Sequence, residues 1–66
     1  MNNELFIMNL CRLSKKTQRE MAKDLGVSES LISHIRNGRR NVSDRLLIKM
    51  HRTYGFSIEE LTNMLN

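Results

Sequence analysis

Two residues do most to limit what this 66-residue chain can become. With the capping Ser28, Gly26-Val27 is all that separates a helical pattern over 18–25 from a second one beginning at 29. Helices joined that tightly must cross steeply, since no loop is available to lay them side by side. Gly26 sits where the chain has to turn, and a left-handed backbone costs little only for glycine. Ala22 is small where the two helices must approach. Met21, Leu25, Val27, Ile32 and Ile35 supply apolar side chains to their common interface.

The rest of the chain is punctuated in the same way. Gly38 and Gly55 also follow helical patterns, as helix-ending residues do. Thr17-Gln18-Arg19-Glu20 and Ser57-Ile58-Glu59-Glu60 are capping boxes. Ser28 and Ser43 stand at two further helix starts, with Asp44 suited to the positive end of its helix dipole. Asn2 or Asn3 can cap the first helix. The spacing predicts five helices over 3–14, 18–25, 29–37, 44–54 and 58–65. The chain contains no proline and no stretch alternating long enough to be a strand, so the fold class is all-α. It reads as a single domain over 1–66, without repeat, low-complexity segment or linker.

In the first helix Leu5, Phe6, Ile7, Met8, Leu10, Cys11 and Leu13 surround most of the circumference. A helix that is apolar nearly all round is buried on more than one side. Either its loose face meets a partner, or Leu5, Phe6 and Met8 fold against the fifth helix.

Composition excludes several classes of protein. One cysteine cannot form an internal disulfide, so a stapled secreted mini-protein is ruled out and a reducing, cytoplasmic setting is expected. No apolar run approaches the ~20 residues of a membrane span. The N-terminus lacks the basic start of a signal peptide. Cys11 has no histidine at a useful spacing, and His34 and His51 lie in different helices without ligand motifs. No metal, no cofactor and no catalytic residue are therefore expected, and a cleft would lack walls at this length. Eleven Lys and Arg against seven Asp and Glu leave a net charge of +4, which points toward a polyanion.

The third helix has a face that would suit one such polyanion. At ~100° per residue, Ser28, Ile32 and Ile35 share one face, with Leu31 at its edge. The opposite face carries Ser30, Ser33, His34 and Asn37, flanked by Glu29. These short or flat polar groups suit close approach to base edges in a major groove: serine as donor or acceptor, Glu29 toward cytosine N4, His34 toward guanine N7. Each also has a plainer reading, as a solvated helix face or, for Glu29, an acid at a helix N-terminus.

The segment Thr17 to Gly38, TQREMAKDLGVSESLISHIRNG, resembles the Cro/C1-type helix-turn-helix of phage repressors and the wider Xre-like family, with the helix-turn-helix unit at 18–37. Tyr54-Gly55-Phe56-Ser57 and Ile58-Glu59-Glu60-Leu61 resemble the turn and closing helix of that family, so the likeness runs from about residue 5 to 65. It implies a five-helix lambda-repressor-like domain that binds operator DNA as a dimer. It places Ser28, Glu29, Ser30 and Ser33 at base-reading positions with His34 beside them. It also places Gln18 against the DNA backbone.

Affinity for DNA comes from phosphates. The N-terminus of the second helix offers free amides and a positive dipole end, with Thr17, Gln18 and Arg19 beside it. Arg36, Asn37, Arg39, Arg40 and Asn41 form a polar and basic stretch after the third helix. Two departures from the family stand out. An Arg in the first helix and a Glu near the end of the third pair in many members; here those positions hold Cys11 and Arg36. Arg36 is then free to swing to a phosphate or to stack its stem over the first helix. The usual Gly-Leu before the second helix reads Lys15-Lys16.

The expected function is a sequence-specific transcriptional regulator, a repressor, bound to a palindromic operator in double-stranded DNA. The expected homodimer surface is Phe56, Ile58, Leu61, Met64 and Leu65, which exceed what a small core hides. The alternative is a protein-interaction module of antitoxin type that binds a second protein partner through the first helix, with DNA binding secondary.

Overall fold

The computed structural model describes residues 3–65. Asn2, one of the two caps expected for the first helix, lies outside them. The helices are α1 (Asn3–Ser14), α2 (Gln18–Leu25), α3 (Glu29–Arg36), α4 (Asp44–Tyr54) and α5 (Ile58–Leu65). The all-α class and five-helix order expected from the sequence are found. α3 ends one residue early, with Asn37 as its C-cap at φ −81° and ψ 0°.

The starts of α2 to α5 are secured by the residues expected there, whereas Asn3 lies inside α1 and its side-chain oxygen caps no amide. The Thr17 hydroxyl accepts from the Glu20 amide at 3.1 Å, and the Thr17 amide donates to the Glu20 carboxylate at 3.0 Å. Ser57 and Glu60 repeat this at 3.0 and 3.1 Å. Ser28 and Ser43 accept from Leu31 and Leu46 at 3.0 and 3.1 Å. These side chains satisfy amides that a helix start otherwise leaves unpaired.

α1 ends at Ser14, as expected from the sequence, although no glycine follows it. Lys15 takes the left-handed conformation instead, at φ 59°. The Ser14 hydroxyl donates back to the Leu10 carbonyl at 2.6 Å, and the Lys16 amide donates to the Cys11 carbonyl at 3.0 Å.

The core gathers side chains from all five helices. Phe6, Ile7, Leu10, Met21, Ile32, Ile35, Met50 and Leu61 are fully enclosed, with Ala22, Leu25, Leu46 and Leu65 nearly so. α1 packs against α2, α3 and α5, and α4 bridges α2 to α5. Three neighbours explain why α1 is so apolar. Asn3, Phe6, Ile7 and Leu10 occupy an arc of ~100° facing inward.

Leu5 and Met8 do not join that arc. The expectation that they fold against the fifth helix together with Phe6 is corrected: Phe6 is enclosed, but Leu5 is 51% and Met8 47% exposed. They stand roughly opposite the centre of that arc, ~150° from it, and one side of a helix must face water in a domain this small.

Candidate nucleic-acid interface

The outward face of α3, the N-terminus of α2 and the loop after α3 make up the candidate interface. Glu29, Ser30 and His34 are exposed along α3, and Asn37 follows at its end. Ser33 is half-buried. Ser28 does not turn inward with Ile32 and Ile35. As N-cap it stays exposed, and its oxygen is occupied by the Leu31 amide. Its proton remains available to an acceptor, so Ser28 is a donor here.

Glu29 has a partner on α2, since the Arg19 guanidinium lies 3.9 Å from its carboxylate, both well exposed. An exposed pair this long contributes little and exchanges readily for another ligand.

The loop after α3 is held by its backbone. The Gly38 amide donates to the Ile35 carbonyl at 3.1 Å. The Arg39 and Arg40 amides converge on the His34 carbonyl at 2.8 and 3.2 Å. Gly38 makes this wrap with φ 78°. The Asn3 side-chain amide donates to the Arg40 carbonyl at 3.3 Å, so the start of α1 anchors the far side of the loop. Asn37, Arg39, Arg40 and Asn41 are all exposed, and the bonds that shape the loop come from backbone amides.

Arg36 has a side-chain partner that neither expected course named. Half-buried, it donates from Nη1 to the Gln18 side-chain oxygen, joining the end of α3 to the start of α2. Its charge also acts on Cys11, where burial raises the thiol pKa and Arg36 opposes the rise. The two positions that carry an Arg–Glu pair in the resembled family thus lie near one another, holding a neutral thiol and a cation. The Arg36–Gln18 bond was not legible in the sequence, because eighteen residues separate the partners and no local pattern links them.

At the back of α2, the Tyr54 hydroxyl donates to Asp24 at 3.1 Å, and Lys16 reaches the same carboxylate at 3.8 Å. The Lys49 ammonium donates to the Leu25 carbonyl at 3.3 Å. These contacts fix α2 and its turn against α4. Among the described residues no group of three or more His, Cys, Asp and Glu side chains is placed to hold a metal ion. No described helix is long and apolar enough to cross a membrane.

The expected dimer surface needs correction. Leu61 is fully enclosed and Leu65 is 7% exposed, so both belong to this chain's own core. Phe56 and Met64 are half-buried against that core, and only Ile58, at 42%, is exposed. α5 turns its regularly spaced leucines toward α1 and α4, which the count of apolar residues alone did not reveal.

Two short helices packed together across a tight turn, with a polar outer helix face and a basic loop beside it, define a helix-turn-helix DNA-binding domain. The family model described as Helix-turn-helix matches residues 7–61, and the chain belongs to that Cro/C1-type family of DNA-binding regulators. Searches of curated proteins and of solved structures gave no match.

Proposed function

We propose that the protein is a sequence-specific transcriptional repressor that binds a palindromic operator as a homodimer, with α3 in the major groove. The observation that carries this reading is the face of α3. Ser28, Glu29, Ser30, Ser33 and His34 form a strip without a bulky apolar group, between the start of α2 and the Arg39-Arg40 loop. In this reading the strip meets base edges. Thr17, Gln18, Arg19, Asn37, Arg39, Arg40 and Asn41 meet phosphates on either side.

Pairing is expected because a single module of this kind covers only ~600–1,000 Å² of DNA, too little for useful specificity. Ile58, flanked by the half-buried Phe56 and Met64, is the part of the expected dimer surface that remains accessible. The protein acts where cellular DNA is, in the cytoplasm.

The test is selection of the purified protein against a random duplex library, with sedimentation of the free protein alongside. A two-fold symmetric motif with half-sites about one helical turn apart supports the reading. Enrichment of no sequence refutes it. Replacing Ser33 by Glu is expected to abolish binding to the enriched site while leaving the helical circular dichroism unchanged.

A second reading is favoured by one observation, the exposure of Met8 and Leu13 on α1 at 47% and 48%. In it, α1 binds a partner polypeptide and DNA binding is secondary. Failure of the selection makes that surface the next to probe.

A further inference from the structure

Arg36 is placed where a cation is poorly served. It is half-buried, and among the described residues neither ion pair includes it. It sits against the start of α2, the positive end of that helix. The nearby thiol of Cys11 is neutral and offers no counter-charge. Its hydrogen-bond partner is the side-chain oxygen of Gln18, the first residue of α2.

The chemistry of that bond is directional. A guanidinium has five donors and no acceptor, so only the oxygen of the Gln18 amide can face it. The Gln18 NH2 is then obliged to face the other way, along with the free amides of the first turn of α2. A free glutamine amide can present either end to a phosphate, and its oxygen would repel one. Arg36 removes that choice.

We infer that Arg36 is a positioning residue for phosphate recognition: it holds the Gln18 amide with both N–H donors outward, toward the DNA backbone, rather than touching a phosphate itself. This rests on the DNA-binding reading above. The family pattern does not supply this contact, since that pattern has an acid where Arg36 stands. A bound phosphate also relieves the cation's unfavourable position at the helix start, so the arrangement is completed by the anion it prepares for.

The experiment is a double-mutant cycle of Arg36→Met and Gln18→Ala. It is read as affinity for the library-enriched duplex and for a mixed-sequence duplex of about 20 base pairs, with the melting temperature of each variant measured in parallel. Each single variant is expected to weaken binding to both duplexes roughly tenfold, the scale of one hydrogen bond to a charged group. The double variant is expected to be no more than about twofold weaker than the worse single one, as for residues acting through one another.

Losses that multiply in the double variant mean that Arg36 reaches a phosphate independently, and overturn the inference. So does Arg36→Met with unchanged affinity. Gln18→Glu is the second probe. It keeps an acceptor for Arg36 but turns an acceptor-only group to the DNA, so it should bind worse than Gln18→Ala at an unchanged or raised melting temperature. Binding by Gln18→Glu at the wild-type level also overturns the inference. If the wild-type protein binds neither duplex, the DNA-binding reading itself fails and this inference falls with it.

Discussion

Replacing Arg39 and Arg40 together by alanine tests the basic loop most directly. Both side chains are exposed, and the bonds that shape the loop come from their backbone amides onto the His34 carbonyl. Alanine keeps those amides, so the fold and the path of the loop should persist, with a stability change of ~0.5 kcal/mol or less per site. Only the charges are lost. Each phosphate contact contributes a slope of about −0.9 to log K against log salt, so losing both makes the slope shallower by about 1.8. Over a fourfold rise in salt, from about 50 to about 200 mM, the advantage of the wild type should shrink roughly twelvefold. The assay is a fluorescence anisotropy titration across that range on the enriched duplex and on a scrambled one. The loss should be equal on both, because phosphates carry no sequence information. An unchanged slope, or a loss confined to one sequence, would refute the placement of this loop on the DNA backbone.

Other perturbations address the scaffold behind the site. Lys15 and Gly26 hold the same left-handed backbone, at φ 59° and 69°, so they should respond in opposite directions. Gly26→Ala meets no atom within 4 Å and should cost only the backbone strain of ~1 kcal/mol, lowering the melting temperature by ~4–8 °C, whereas Lys15→Gly should raise it. Hydrogen bonds from the Thr17 backbone and then its side chain hold the Glu20 carboxyl below its ordinary 4.5. A lowered folded-state value stabilises the protein above the unfolded value and is lost as pH falls through the folded one. The melting temperature should therefore decline below pH 4.5, and Glu20→Gln should flatten that decline. Burial, and then the bond to Asp24, push the Tyr54 phenol above its usual 10.0. An ultraviolet titration should find it still protonated there, and Asp24→Asn should restore only part of the shift because burial is the larger cause. Tyr54→Phe should cost about 1 kcal/mol in urea unfolding.

How much was legible in advance depended on the range of the interaction. Helix boundaries at Thr17, Ser28, Ser43 and Ser57 follow from side chains that bond amides three residues away. Gly26, Gly38 and Gly55 mark turns through their own φ. The packing of α2 on α3 follows from the short link between them. All of these are local, and local chemistry is written consecutively along a chain.

What the tertiary structure alone decided concerns partners far apart in sequence. Periodicity showed that α1 and α5 each have apolar faces, but not which neighbour covers which arc. Leu61 and Leu65 thus proved to be core, while Leu5 and Met8 remained exposed. Arg36 gave no sign of reaching Gln18, and Asn3 none of reaching the Arg40 carbonyl. Such contacts arise when packed helices bring their ends together, and burial then selects the hydrogen bonds that a half-desolvated polar group must make. The sequence by itself determined five helices and a polar outer face on α3. Only the packing determined how the groups behind that face are held.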